Sequence, residues 1–225
     1  MNISPIKLLV VIPAYNTARF LDDLINRIKN TSPTCDILVV NDGSTDNTAE
    51  IAQNQNVNIL SNTKNQGKGF SLKRGFAYAI EKNYDYLITI DADLQHTPED
   101  MARFLKNCSN GSIVIGSREL TMQKMPLHRW LSNNITSLMV SIFGGKLVRD
   151  SQSGFRMFHC GNLKKIKGES NRFDFESELL LQSGLLDIDI KEIPVETIYG
   201  REESSISHIG DIFRFIKQIW KRIMI

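Results

Sequence analysis

Tyr86-Leu-Ile-Thr-Ile-Asp-Ala-Asp-Leu-Gln95 is the stretch on which the reading of this chain turns. Its first five residues form a short apolar, β-rich run, which predicts a buried strand over 86–90. The next five are dominated by carboxylates and an amide, so the chain leaves the sheet directly into a polar segment. The same grammar recurs upstream. Leu8-Leu-Val-Val-Ile12 is an apolar run closed by Pro13, and Asp36-Ile-Leu-Val-Val40 is another, closed by Asn41-Asp-Gly-Ser44. A short strand is expected over 57–60. Between the strands lie helical spacings: Phe20, Leu21, Leu24, Ile25 and Ile28 within 18–29, then segments near 46–53 and 69–81. Downstream, Pro98 opens a helix that runs to about 107, and Ser112-Ile-Val-Ile115 is a further strand.

Strands alternating with helices across short connections predict an α/β fold: a mostly parallel central sheet with helices on both faces. Such sheets bind ligands beyond the carboxyl ends of their strands. Tyr15-Asn16, Asp42-Gly43-Ser44, Asp91-Ala92-Asp93 and Ser117-Arg118 each follow a strand, so four strand ends converge on one cleft. The second half is less regular. A helix with apolar positions Leu127, Trp130, Leu131, Ile135, Leu138, Met139, Ile142 and Phe143 is expected over 127–143. Residues 150–156 read as a polar, glycine-containing stretch. A helix over 175–182, a last strand over 190–195 and a closing helix over 209–223 complete the chain.

The formal net charge of +2 over 225 residues gives no basis for a nucleic-acid partner, and none is expected. Three widely spaced cysteines (Cys35, Cys108, Cys160) argue against a disulfide framework. The four histidines form no ligand pair, which disfavours zinc. No positively charged segment leads into an apolar stretch at the N-terminus, and no apolar run approaches the ~20 residues that span a bilayer. A cytoplasmic protein, peripheral on the membrane if it meets one, is the expectation.

Asp91 and Asp93 at i and i+2 of extended chain project to one side. Two carboxylates held close repel unless a cation sits between them. Oxygen ligands on an open site suit Mg²⁺ or Mn²⁺, with substrate phosphates completing the shell and Gln95 adding a neutral oxygen. The chemistry would be Lewis-acid stabilisation of a diphosphate leaving group. An isolated Asp-x-Asp is more often a solvated loop ahead of a helix; a place directly after a buried strand favours the metal. In Asn41-Asp-Gly-Ser-Thr-Asp46, Gly43 suits a positive φ and Asp46 suits a helix cap, while Asp42 is available to a nucleotide.

Val11-Ile-Pro-Ala-Tyr-Asn16, Val40-Asn-Asp-Gly-Ser-Thr-Asp46, Asn65-Gln-Gly-Lys-Gly69, Asp91-Ala-Asp-Leu-Gln95, Gly116-Ser-Arg118 and Ser153-Gly-Phe-Arg156 occur in the order seen in family-2 glycosyltransferases. The chain resembles the polyprenyl-phosphate mannose or glucose synthases over nearly its whole length. That resemblance implies one GT-A domain over 1–225, with a nucleotide-sugar and metal half (1–118) and an acceptor half carrying interfacial helices (119–225). It implies inverting hexose transfer from a nucleotide-sugar of the GDP-mannose or UDP-glucose type to a lipid phosphate. Pro13, Tyr15, Asn16, Asp42, Lys68, Asp91 and Ala92 are then the nucleotide-binding residues. Asp91, Asp93 and Gln95 surround the metal. Arg118 and Arg129, with Ser132 or Asn133, grip the acceptor phosphate, and Arg201 clamps the donor diphosphate. Asp93, Arg118 and Arg201 carry catalysis. Two positions depart from the family pattern: Thr17 stands where a glutamate is common, and Asn41 where an aspartate is.

Arginine suits phosphate because its planar fork bonds in pairs. A phosphate acceptor is already an anionic nucleophile, whereas a sugar hydroxyl needs a general base. No acidic base motif lies between Arg118 and Asp150. Glu176 and Glu178 are the candidates that a hydroxyl acceptor would use; the alternative for them is a place in the first turn of a helix. The apolar stripes of 127–143 and 209–223 read equally as interfacial helices or as core packing.

Overall fold

The computed structural model describes residues 6–108, 111–119, 127–172 and 174–198. The expected helix over 209–223 and Arg201 lie outside the described residues. β1 (Leu8–Ala14), α1 (Ala18–Thr31), β2 (Asp36–Asn41), α2 (Thr48–Asn54), β3 (Asn58–Ser61), α3 (Lys68–Glu81) and β4 (Tyr86–Thr89) follow the predicted alternation. A 3-10 turn at Pro98–Asp100 leads into α4 (Met101–Asn107) and β5 (Ile113–Ser117). The second half adds α5 (Leu127–Gly144), β6 (Arg156–His159), α6 (Cys160–Leu163), α7 (Asp174–Leu185) and β7 (Ile190–Pro194).

The seven strands form one sheet in the order β3-β2-β1-β4-β6-β5-β7. β6 runs antiparallel to both neighbours and every other pairing is parallel. The polar stretch expected over 150–156 therefore ends in a central strand. Four residues opening on an arginine are too few to show a period, but Met157 and Phe158 are sealed on opposite faces of the sheet. Because β6 is reversed, the segment before it crosses the same sheet edge at which β1, β2, β4 and β5 end.

Alternate strand residues feed two cores. Leu9, Val11, Leu38 and Val40 pack with Leu72, Phe76, Leu179 and Leu180 on one face. Val10, Ile12 and Val39 pack with Leu21, Leu24, Ile25, Ile28 and Phe104 on the other. Each wholly buried Leu or Ile contributes roughly 1.5–3 kcal/mol. Asp46 opens two helices at once, its carboxylate accepting from Ala18 N at 3.0 Å and Thr48 N at 3.0 Å. This fixes the β1 and β2 ends to each other, and Asn16 Oδ1 accepting from Thr45 N at 2.8 Å adds to the tie.

α5 is inverted relative to an ordinary surface helix. Ser132, Asn133, Thr136 and Ser137 are buried, whereas Leu127, Leu131, Leu138 and Ile142 are 58%, 44%, 60% and 64% exposed. Most of its apolar stripe thus faces away from the core, although Met139 packs against it, and its polar side is packed within the molecule.

Candidate active site

The nucleotide end is built on the β1 and β2 ends. Pro13 is half-buried in the last turn of β1 and the Tyr15 side chain is exposed beyond it. Asn16 sits at φ 53° and is tied to the 44–45 turn. Asp42, expected to meet the nucleotide, is buried and turned to the loop between β3 and α3. It accepts from Asn62, from Gln66 N at 3.0 Å and from Gly67 N at 2.8 Å. In this structure Asp42 shapes the loop that leads into α3.

That loop delivers Lys68 to the acidic segment. Lys68 Nζ lies 2.7 Å from Asp91 Oδ1 and 2.9 Å from Glu176 Oε2. Burial works against the ammonium, but the two carboxylates outweigh it and hold its pKa above the lysine range. Burial also opposes ionisation of Asp91, and Lys68 overcomes it, so the Asp91 carboxyl is held below the usual range. For Glu176 burial wins and the pKa is raised. Gly69 permits the approach of α3 to α7, since a Cβ there would lie 2.6 Å from Phe175 Cβ and 2.7 Å from Arg172 O. On its other side Asp91 packs against Gly154, where a Cβ would lie 2.5 Å from Asp91 Cγ. Lys68, expected at the nucleotide, is thus turned inward to Asp91.

The segment beyond is a turn rather than extended chain, with Leu94 at φ 57°. Burial nevertheless alternates: Ala92, Leu94 and His96 are buried, while Asp91, Asp93 and Gln95 are half-exposed. Asp93 Oδ1 accepts from Gln95 N at 2.9 Å, closing the turn. His96 packs against Phe155, and burial and then Arg118 push its pKa down to about 4, so it is neutral. Among the described residues no three His, Cys, Asp or Glu side chains cluster as a metal cage. The hard oxygens of Asp93 and Gln95 are of the kind that suit Mg²⁺ or Mn²⁺, for which substrate phosphate and water would complete the shell.

The acceptor side is organised by a residue the sequence reading did not single out. Asp150 is fully buried. Its Oδ2 accepts from Arg118 N at 3.1 Å and Arg118 Nε at 2.7 Å, and its Oδ1 from Arg118 Nη2 at 2.8 Å and Asn133 Nδ2 at 3.0 Å. Burial would raise the Asp150 pKa, but the Arg118 guanidinium holds it low. Ser132 Oγ accepts from Gln152 Nε2 at 3.2 Å. Asn133 and Ser132 are therefore committed to the 150–152 loop. Arg129, on the same helical side one turn earlier, has a buried Nε without a hydrogen-bond partner. Arg156 is wholly interior; its guanidinium donates to the carbonyls of Ser153, Glu176 and Ser151. It braces the fold.

Neither candidate base is at liberty. Glu176 is paired with Lys68, and Glu178 accepts from Glu169 N and Ser170 N, holding the loop before α7. The signal for Asp150 was its place between an arginine and Ser-Gln-Ser-Gly154. The signal for Glu176 was a carboxylate within an otherwise buried helix.

The profile described as glycosyl transferase family 2 matches residues 9–166. The undecaprenyl-phosphate mannosyltransferase of Micrococcus luteus is 31% identical, over 91% of this chain and 90% of that protein. The UDP-N-acetylglucosamine–dolichyl-phosphate N-acetylglucosaminyltransferase of Methanococcus voltae is 32% identical, over 84% of this chain and 85% of that protein. Glucosyl-3-phosphoglycerate synthase from Mycobacterium tuberculosis, solved with Mn²⁺, UDP and glucosyl-3-phosphoglycerate, shares 17% identity. Its TM-score is 0.77, over 97% of this chain and 80% of that one, a likeness of fold. The sheet is accordingly of the GT-A type, and this chain belongs to glycosyl transferase family 2 as a glycosyltransferase.

Proposed function

We propose that the enzyme transfers a hexose, with inversion, from a nucleoside-diphosphate sugar to a polyprenyl phosphate at a membrane surface. The observation that carries this reading is the commitment of the nearby carboxylates. Glu176 is neutralised by Lys68, Asp150 by Arg118, and Glu178 is bound to backbone N–H groups. A hydroxyl acceptor needs a base to take its proton; a phosphate monoester arrives ionised.

In the proposed step an acceptor phosphate oxygen forms a bond to the sugar's anomeric carbon. The bond from that carbon to the donor diphosphate breaks, and the nucleoside diphosphate leaves with the electron pair. Asp93 and Gln95, with Asp91 beside them, would hold a divalent cation, which would supply Lewis-acid neutralisation of the leaving diphosphate. Tyr15, Pro13 and Asn16 shape the nucleotide end. Arg118 and Arg129 face the acceptor phosphate, and the orphaned Arg129 Nε suits a ligand oxygen. Arg201 falls three residues beyond Ile198, whose N–H is bonded to Gln95 O at 3.0 Å, and its assigned role is the donor diphosphate. The apolar face of α5 supports a membrane-side acceptor. That helix is about 27 Å long at 1.5 Å per residue, and its buried side carries Ser132 and Asn133. No helix among the described residues is long and apolar enough to cross a bilayer. In this reading residues 1–225 act as one glycosyltransferase domain.

The test is transfer of radiolabel from a panel of UDP- and GDP-hexoses to polyprenyl phosphate, with Mn²⁺ or Mg²⁺ against EDTA. Metal-dependent label in the organic phase is the expected result. Metal-dependent donor hydrolysis with label confined to the aqueous phase, whatever donor is supplied, would contradict it.

A further inference from the structure

Asp150 holds Arg118 by more than proximity. The carboxylate takes the Nε and Nη2 edge of the guanidinium in the paired geometry, and one of its oxygens also takes the Arg118 backbone N–H. Main chain and side-chain tip of one residue are therefore referred to the same carboxylate. That carboxylate is itself located from two further elements. Asn133 of α5 donates to Oδ1 at 3.0 Å. Glu192 of β7 accepts from Arg149 N at 2.9 Å and Asp150 N at 3.0 Å through a single oxygen, which pins the backbone beneath Asp150. The end of β5, helix α5 and strand β7 thus converge on one fully buried side chain. A phosphate-binding arginine at the end of a strand has many rotamers, and an acceptor oxygen must meet the anomeric carbon in line. Fixing the guanidinium through its far edge removes that freedom before the acceptor arrives.

We infer that Asp150 is a positioning residue for the acceptor phosphate, setting the orientation of the Arg118 guanidinium by a two-point grip. The inference rests on the lipid-phosphate reading of Arg118 given above. It separates orientation from charge: an arginine that is present but unheld keeps its charge and loses its alignment.

The experiment compares transfer to polyprenyl phosphate with donor hydrolysis in the same preparation, so that a lower folded fraction cancels from the ratio. Asp150→Asn keeps the shape and places an NH₂ against one of the facing donors. The ratio of transfer to hydrolysis is expected to fall on the order of 100-fold, the scale of an ångström misplacement. In the Arg118→Ala background, Asp150→Asn is expected to lower the ratio no further, because its effect passes through Arg118. Equal losses in both backgrounds would overturn the inference, as would a wild-type ratio in Asp150→Asn. Should Asp150→Asn not fold, Arg118→Lys asks the same question: lysine retains the charge but not the fork, and a wild-type ratio there would overturn the two-point grip. Absence of lipid product from the unaltered enzyme would instead refute the acceptor reading, and this inference with it.

Discussion

Adding one methyl group at Gly154 should disable the donor side of the site by displacing the Asp91 carboxylate, without removing any functional group. A Cβ at that position lies 2.5 Å from Asp91 Cγ, against 3.4 Å for ordinary contact. The Asp91 carboxylate must therefore retreat by about 1 Å, and the backbone of Gly154 is fixed because its carbonyl accepts from Thr89 Oγ1 at 2.9 Å. Retreat displaces the carboxylate from the position in which it pairs with Lys68 at 2.7 Å. A displacement of that size costs on the order of 100-fold in rate, equivalent to about 2.7 kcal/mol. The assay is kcat/KM for the donor at saturating acceptor, with circular dichroism and a melting curve to establish that Gly154→Ala is folded. A folded variant with wild-type kcat/KM would refute the claim that Asp91 is held in a functional position between Lys68 and Gly154.

Asp93→Asn should abolish turnover and remove the metal dependence of nucleotide binding, measured by calorimetry with Mn²⁺ and UDP or GDP; metal-dependent binding of wild-type strength would contradict the ligand role. Lys68→Met leaves Asp91 and Glu176 facing each other without a cation, and breaking a buried pair costs about 3–5 kcal/mol, to be read from urea unfolding; the double change Lys68→Met with Glu176→Gln should recover part of it. Asp150 has a folded pKa below its ordinary value of 3.8. Its contribution is therefore complete above that value and is lost as pH falls through the lower, folded one. Acid unfolding curves of wild type and Asp150→Asn should accordingly converge below about pH 4, and curves that stay parallel would contradict the assignment.

The parallel part of the fold was legible because its strands are continuous apolar runs that end on polar motifs. Leu8–Ile12, Asp36–Val40 and Tyr86–Ile90 each lie within a residue or two of the strand found. β6 was not legible: its four residues begin with an arginine whose burial is satisfied by the carbonyls of Ser151 and Ser153 in the preceding loop and of Glu176 in α7. The direction of the α5 stripe was open for a related reason. Periodicity places Leu131, Leu138 and Ile142 on one side, but which side faces the core depended on a polar network with Asp150 and Ser151 that spacing does not encode. In the site, the partners that the named side chains take up were not legible. Asp42 turns to the loop between β3 and α3 and Lys68 to Asp91, since each buried charge or acceptor must find a counterpart, and those counterparts come from other segments of the chain.

The central claim is that the nucleophile is a lipid phosphate. The most direct measurement is NMR of the purified product made with unaltered enzyme, donor hexose, Mn²⁺ and polyprenyl phosphate. The anomeric proton should couple to phosphorus, and its configuration should be opposite to that of the donor. An anomeric carbon joined to a hydroxyl oxygen, with no coupling to phosphorus, would contradict the account.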